Sequence, residues 1–226
     1  MKRGLFIVID GPDWSWKKTQ TENLRKKLLD DGFEVEKIDF PQYWKPSAGP
    51  TEEYLNWKFW KADEVTPYQA SILYAVDRFS AANQIREWLD AWKVVISDRY
   101  VSANMGHQAG KIQDLEERDT FLSWLENLEY GILNIPRPDI QIFLYLDPEI
   151  SRNLALKVEK PNMDKSKDVH ENDAEHMKHA SEAFLYVAEK YGWIKVECAQ
   201  NWNLRTREDI AKELHEKING YLVGLK

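Results

Sequence analysis

Cysteine is nearly missing from this 226-residue chain: Cys198 stands alone. No intrachain disulfide can form, and a reducing cytoplasm is the expected compartment. Long apolar runs are missing too. The opening stretch, MKRGLFIVID, holds five apolar residues before Asp10, too few for a secretory core or a membrane span. A surplus of positive charge is also lacking. The formal charge is -7, which argues against a nucleic-acid duplex or an anionic membrane as the main partner. It leaves room for a nucleotide, because a local pocket of Arg and Lys binds phosphate on an acidic protein. What is present is an apolar content of 43%, ordinary for one well-buried domain and too high for disorder. No repeat or linker divides the chain, so residues 1–226 read as a single domain.

Strand and helix patterns alternate along it. Leu5-Phe6-Ile7-Val8-Ile9 is a short, continuous apolar run, as in a buried parallel strand. A helix is expected over 17–31, with Leu24, Leu28 and Leu29 on one face and Gly32 as its stop. Further strands are expected at 33–38, 94–96, 140–146 and 194–198. Helices are expected at 51–59, 67–91, from 100 to about 130, at 149–157, 169–191 and 206–222. Such alternation implies an α/β protein, a parallel sheet with helices on both faces.

Between the first strand and the first helix runs Gly11-Pro12-Asp13-Trp14-Ser15-Trp16-Lys17-Lys18-Thr19. This is the setting of a phosphate loop, G-x-x-x-x-G-K-[ST]. In that motif backbone N–H groups at a helix N-terminus converge on phosphate and Lys adds a mobile charge. Gly11 and Lys17 stand at the required spacing, but Trp16 occupies the second glycine and Lys18 the hydroxyl position. The bland alternative is a strand-turn-helix joint with no ligand. Glycine serves there because the loop needs unusual φ angles and close approach to phosphate. An indole held left-handed costs on the order of 1–2 kcal/mol, so the loop as written should bind phosphate poorly.

The chain has ten tryptophans, and the same oddity recurs among them. Trp92 lies between a helix and a strand, where glycine commonly forms the left-handed cap. Trp202 follows Asn201 in a turn where Asn-Gly would be the strong signal. Three origins stay open: UGA codons that the source organism reads as glycine, substitution that disabled the loop, or genuine tryptophans that the fold tolerates.

Four segments occur in a telling order: Ile7-Val8-Ile9-Asp10-Gly11-Pro12-Asp13, Phe40-Pro41-Gln42-Tyr43, Leu73-Tyr74-Ala75-Val76-Asp77-Arg78, and Ser97-Asp98-Arg99-Tyr100-Val101-Ser102-Ala103-Asn104, the last followed by His107 and Gln108. In these, and over nearly its whole length, the chain resembles the thymidylate kinases, P-loop nucleoside-monophosphate kinases. Trp44, Trp57 and Trp60 also stand in stretches that contain glycine in that family. The resemblance implies a three-layer P-loop kinase fold with a five-stranded parallel sheet. It implies phosphoryl transfer from ATP to dTMP, with Mg²⁺ as the metal and a homodimer as the assembly. ATP phosphates would lie on Gly11, Trp14, Ser15, Trp16, Lys17, Lys18 and Thr19. Lys17, Arg99 and Asp13 would be catalytic, and Asp13 would also contact the sugar hydroxyl. Asp98, just past a strand's carboxyl end, would hold Mg²⁺ through water. Tyr74 and Arg78, four apart on one helix face, would stack on the thymine ring and bond its carbonyl edge. Asn104 would read the base edge, while Phe40, Tyr43 and His107 would border the acceptor. His107 stands where many relatives have Tyr. The Lys-rich stretch at 157–168, with Lys157, Lys160, Lys165 and Lys167, resembles the family's lid. Two other readings stay open: a kinase for another nucleotide or deoxynucleoside, and a non-catalytic nucleotide-binding or scaffold protein.

Overall fold

The computed structural model describes residues 3–12, 15–56, 64–157, 174–223 and 225. Five strands form one parallel sheet: β1 (Leu5–Asp10), β2 (Val35–Asp39), β3 (Val94–Asp98), β4 (Ile140–Tyr145) and β5 (Ile194–Glu197), in the order β2-β3-β1-β4-β5. The helices are α1 (Lys17–Asp30), α2 (Gly49–Leu55), α3 (Pro67–Asp90), α4 (Val101–His107), α5 (Leu115–Glu126), α6 (Pro148–Lys157), α7 (Ala174–Lys190) and α8 (Arg207–Leu222). A small antiparallel hairpin, β6 (Ala199–Gln200) and β7 (Asn203–Leu204), precedes α8. The expected five-stranded parallel sheet flanked by helices is what the chain forms.

The three layers follow from the strand period of two. Every residue of β1 is buried, because both faces of the sheet are covered. Phe6 and Val8 point into one core with Val95, Ile85, Leu89, Phe121, Leu122 and Leu125. Leu5, Ile7 and Ile9 point into the other with Leu24, Leu28, Ile210, Leu214 and Ile218 of α1 and α8. Helix starts are encoded locally. Thr66 and Gln69 form a reciprocal capping box ahead of Pro67 at the mouth of α3. Asp114 caps α5 through the N–H groups of Glu116 and Glu117, and Thr206 caps α8 through that of Asp209.

Boundaries differ from the expectation by a few residues. β2 begins at Val35 because Phe33 closes the turn that ends α1, its N–H donating to the Leu28 carbonyl. The helix expected at 51–59 spans Gly49–Leu55, residues 57–59 lying outside the described segments. Only the last part of the expected 169–191 helix is described, as α7. The six-residue π-helical turn Asn127–Ile132 that follows α5 has no signal in the apolar pattern. The lid segment beyond Lys157 lies outside the described residues.

α7 crosses α4 closely because glycine faces it. A Cβ on Gly106 would come within 2.3 Å of the Phe184 ring, which stacks on Phe143 at 5.5 Å. Gly106→Ala gains about 1 kcal/mol of helix propensity. Overpacking a filled core costs about 1–3 kcal/mol, and Phe184 is locked on its other face. The substitution should therefore lower the urea midpoint; a raised midpoint would show that α7 is free to shift.

Candidate functional site

The carboxyl ends of β1 and β3 lie side by side. Ile9 pairs with Asp98, and the chain continues the pairing one step further, the Arg99 N–H donating to the Ile9 carbonyl at 3.0 Å. Arg99 does so at φ 64, an unfavourable conformation for a long side chain, of a kind that clusters at functional sites. β2 completes the row: Asp39 pairs with Asp98, and the Phe40 N–H donates to the Asp98 carbonyl. In open α/β sheets this carboxyl-end crevice is where ligands bind.

Two acids and two cations meet there. Asp10 is fully buried, accepting from its neighbour Gly11 N–H at 2.8 Å and from Ser102 Oγ at 2.7 Å. Burial pushes its carboxyl pKa up, and Arg99 and Lys17 oppose that rise. Asp98 behaves likewise, raised by burial against Lys17 and Arg99, with Asp10 and Asp39 adding to the rise. Lys17 and Arg99 thus act on the same pair of carboxylates. Lys17 Nζ also donates to the Gly11 and Pro12 carbonyls, each at 2.8 Å.

The loop around them is drawn tight. Gly11 has φ 154, and a Cβ there would sit 2.4 Å from the Leu144 carbonyl of β4, so only glycine fits. Ser15 is buried, its Oγ donating to the Pro12 carbonyl, and its own carbonyl accepts from the Cys198 thiol at 3.6 Å. Burial drives that thiol up to about 12, so Cys198 is an inert packing group. Trp16 forms the left-handed N-cap of α1 at φ 60, ψ 25, with the Arg207 guanidinium 5.2 Å from its ring. Lys18 is exposed and Thr19 half-buried, while Thr21 bonds back to the Lys17 carbonyl. Asp13 and Trp14 lie outside the described residues.

The second half of the site is built on α3 and α4. Tyr74 is half-buried, its phenol pushed well above the usual range by burial and influenced by Tyr54, Tyr43, Arg99 and Arg78. Asn104 is buried and donates to the Ser71 carbonyl at 3.3 Å, which turns it toward α3. His107 Nε2 lies 3.2 Å from Arg99 Nη1, and its ring meets Phe184 edge-on. Phe40 is buried against Tyr100, and Tyr43 is largely exposed. Arg78 is less available than the sequence suggested. It is fully buried, with Nε and Nη2 on Glu129 and Nη1 on the Tyr100 carbonyl. Burial works against its charge, but Glu129 outweighs that and holds the guanidinium above its ordinary pKa.

Sequence reasoning missed the groups that hold these residues in place. Glu129 is fully buried in the π-helical turn and is the acidic partner of Arg78. Its i+5 geometry aims it inward, which no helical period at 3.6 shows. Asp77, inside the Tyr74-to-Arg78 motif, ties the loop after β2 to α3. Its carboxylate accepts from the Gln42 N–H at 2.7 Å, from Gln42 Nε2 at 3.0 Å and from Ser47 Oγ at 2.7 Å. A single acid within a helix gives no periodic signal, although its place beside Arg78 could have raised one.

A family model described as thymidylate kinase matches residues 9–210. The chain belongs to the thymidylate kinase family. A thymidylate kinase of Mycobacterium tuberculosis is 26% identical over 190 residues, 84% of this chain and 87% of that protein. One from Halothermothrix orenii is 27% identical over 224 residues, 98% of this chain and 99% of its own. The solved thymidylate kinase of Candida albicans superposes with a TM-score of 0.75 over 99% of this chain and 94% of that one; at 22% identity it shows the fold.

This thymidylate kinase chain therefore carries a buried Arg78–Glu129 pair between α3 and the π-helical turn. Removing one partner leaves an unmatched buried charge, a loss of about 3–5 kcal/mol. Glu129→Ala should show that loss in urea unfolding, while the double substitution Arg78→Leu with Glu129→Leu should lose much less. Equal losses would mean that packing, rather than charge, is what Glu129 supplies.

Proposed function

We propose that this chain transfers the γ-phosphoryl group of ATP to dTMP, giving dTDP and ADP. The observation that carries the reading is the parallel pairing of β1 with β3, which brings Asp10, Asp98 and Arg99 to one sheet edge beside Lys17, in a thymidylate kinase chain. An oxygen of the dTMP phosphate attacks the γ-phosphorus, the bond to the β-bridging oxygen breaks, and ADP leaves. No covalent enzyme intermediate is needed, so positioning and charge neutralisation do the work.

Each group has a role in this reading. Lys17 exchanges its loop carbonyls for donor phosphate oxygens. Arg99 spans donor and acceptor phosphates with a planar fork, which Lys could not do. Gly11, Ser15, Trp16, Lys18 and Thr19 form the backbone around the donor phosphates, with Asp13 and Trp14 completing that stretch. Tyr74 supplies a flat face to the base, Arg78 and Asn104 polar edges, and Phe40, Tyr43 and His107 the border. Asp98 Oδ1 is buried and has no hydrogen-bond partner among the described residues. One such oxygen suits Mg²⁺, which takes most of its ligands from water and phosphate. Bound there, the metal would neutralise phosphate charge.

Purified protein should release ADP fastest, by kcat/KM, with dTMP among dTMP, dUMP, thymidine and deoxycytidine. Lys17→Ala and Arg99→Ala should each lower kcat by at least about 100-fold. A higher kcat/KM for another acceptor would overturn the dTMP assignment.

The assembly we propose is a homodimer in the cytoplasm, supported by α3. Its outer face exposes Ile72, Val76 and Phe79 at helical spacing, an apolar stripe that a second copy would cover. No helix among the described residues is long and apolar enough to cross a membrane. Light scattering should give twice the chain mass, and Val76→Glu should give the monomer; a monomeric parent protein would remove this proposal.

A further inference from the structure

Left-handed backbone recurs in this fold at turns of several kinds, and tryptophan occupies four of those positions. The α-to-β turns provide an internal control. α1, α3 and α7 each end two residues before a left-handed residue: Gly32 at φ 87, Trp92 at φ 63 and Gly192 at φ 66. The hydrogen bonds match from turn to turn. Gly32 N–H donates to the Leu29 carbonyl and Phe33 N–H to that of Leu28. Trp92 donates to Leu89 and Lys93 to Trp88, and Gly192 donates to Glu189 and Trp193 to Ala188. This is one helix-ending motif used three times, in which glycine is the residue that the geometry favours. Two copies have it, and the third has an indole.

The other three positions are different turns with the same demand. The β6–β7 hairpin has a two-residue loop, Asn201-Trp202, with φ 49 and 64. Positive φ at both positions is the type I′ pattern, whose preferred pair is Asn-Gly. Lys45 N–H closes a turn on the Gln42 carbonyl, and only its third residue, Trp44, has positive φ, at 72. That is the type II pattern, with glycine preferred at that position. Trp16, at φ 60, stands five residues after Gly11 and directly before Lys17, the second-glycine position of a phosphate loop.

At three of the four positions packing does not compensate for the strain. Trp44 is 94% exposed, Trp202 70% and Trp92 49%, so these indoles gain little by burial. The remaining described tryptophans behave oppositely. Trp88, Trp124 and Trp193 lie outside the positive-φ set and pack against the core, Trp124 at 4.6 Å from the Tyr68 ring. Backbone conformation therefore divides the described tryptophans into two populations, and burial follows the same division except at Trp16, which is half-buried against the core.

We infer that the working protein carries glycine at positions 16, 44, 92 and 202, the codons there being UGA triplets that the source cell decodes as glycine. UGG then specifies Trp88, Trp124 and Trp193. Trp14, Trp57 and Trp60 lie outside the described residues. For position 16 there is a functional consequence, which rests on the kinase reading. With glycine in place of Trp16, the loop has both glycines of the motif ahead of Lys17, a complete backbone cradle for the β- and γ-phosphates of a nucleoside triphosphate. The assignment of positions 44, 92 and 202 does not depend on that reading.

Peptide mass spectrometry of the protein from its native cell should find glycine at the four positions and tryptophan at 88, 124 and 193. Tryptophan at 92 or 202 in that protein would overturn the inference, as would UGG codons there. Made in a host with the standard code from a gene with UGG at every tryptophan position, the chain as written should gain about 3 °C or more in Tm from Trp92→Gly and again from Trp202→Gly. Unchanged or lower Tm values would also overturn it. Trp16→Gly should tighten ATP binding by calorimetry at least about tenfold. If the two distant substitutions stabilise the chain but the Trp16→Gly variant ignores ATP, the glycine assignment stands and the kinase reading fails.

Discussion

The site depends on one backbone relationship, the parallel pairing of β1 with β3. Because Ile9 lies beside Asp98, the next residues along the two strands, Asp10 and Arg99, emerge together at the same edge of the sheet. That places two acids in a buried space where burial alone would neutralise them. Lys17 and Arg99 keep the balance of charge, and Gly11 N–H and Ser102 supply Asp10 with directional bonds. Opposed charges in a low-dielectric crevice suit phosphate chemistry. Lys17 is held at this crevice by the Gly11 and Pro12 carbonyls, which an arriving polyanion would have to replace.

The part of the site built on α3 and α4 is held by buried acids. Asp77 pins the loop after β2 to α3 through three hydrogen bonds, and Glu129 holds Arg78 from the π-helical turn. Both are costly to bury alone and stable only when their partners are in place, so each selects one loop arrangement over its alternatives. Burial raises the Tyr74 phenol pKa, and Arg99 and Arg78 oppose that rise.

Left-handed turns place a further demand on the chain, set by topology and not by which residue happens to be there. An α-helix feeding a parallel strand must reverse within two or three residues, and a two-residue hairpin must match the strand twist. Holding an L-residue with a side chain in that conformation costs about 1–3 kcal/mol at each site. Four such sites together are comparable with a whole domain's stability of about 5–15 kcal/mol. Backbone demand and residue identity agree at Gly32 and Gly192 and disagree at Trp16, Trp44, Trp92 and Trp202.

Much of this was legible in the chain. Continuous apolar runs marked the inner strands of the sheet, because a sheet covered on both faces leaves no polar alternation. Gly11, Lys17, Asp98 and Arg99 were visible through their spacing from strand ends. Trp16, Trp92 and Trp202 stood out because turn chemistry is local and can be read from neighbouring residues. Other features became visible only in three dimensions. Glu129 lies 51 positions from Arg78 and on a π-turn, so neither distance along the chain nor helical period connects them. Asp10 was seen as the end of a strand, but its hydrogen-bond partner Ser102 lies 92 positions away. Local pattern determined which segments are strands, helices and turns; long-range packing decided which charges meet, because electrostatic partnership depends on distance through space.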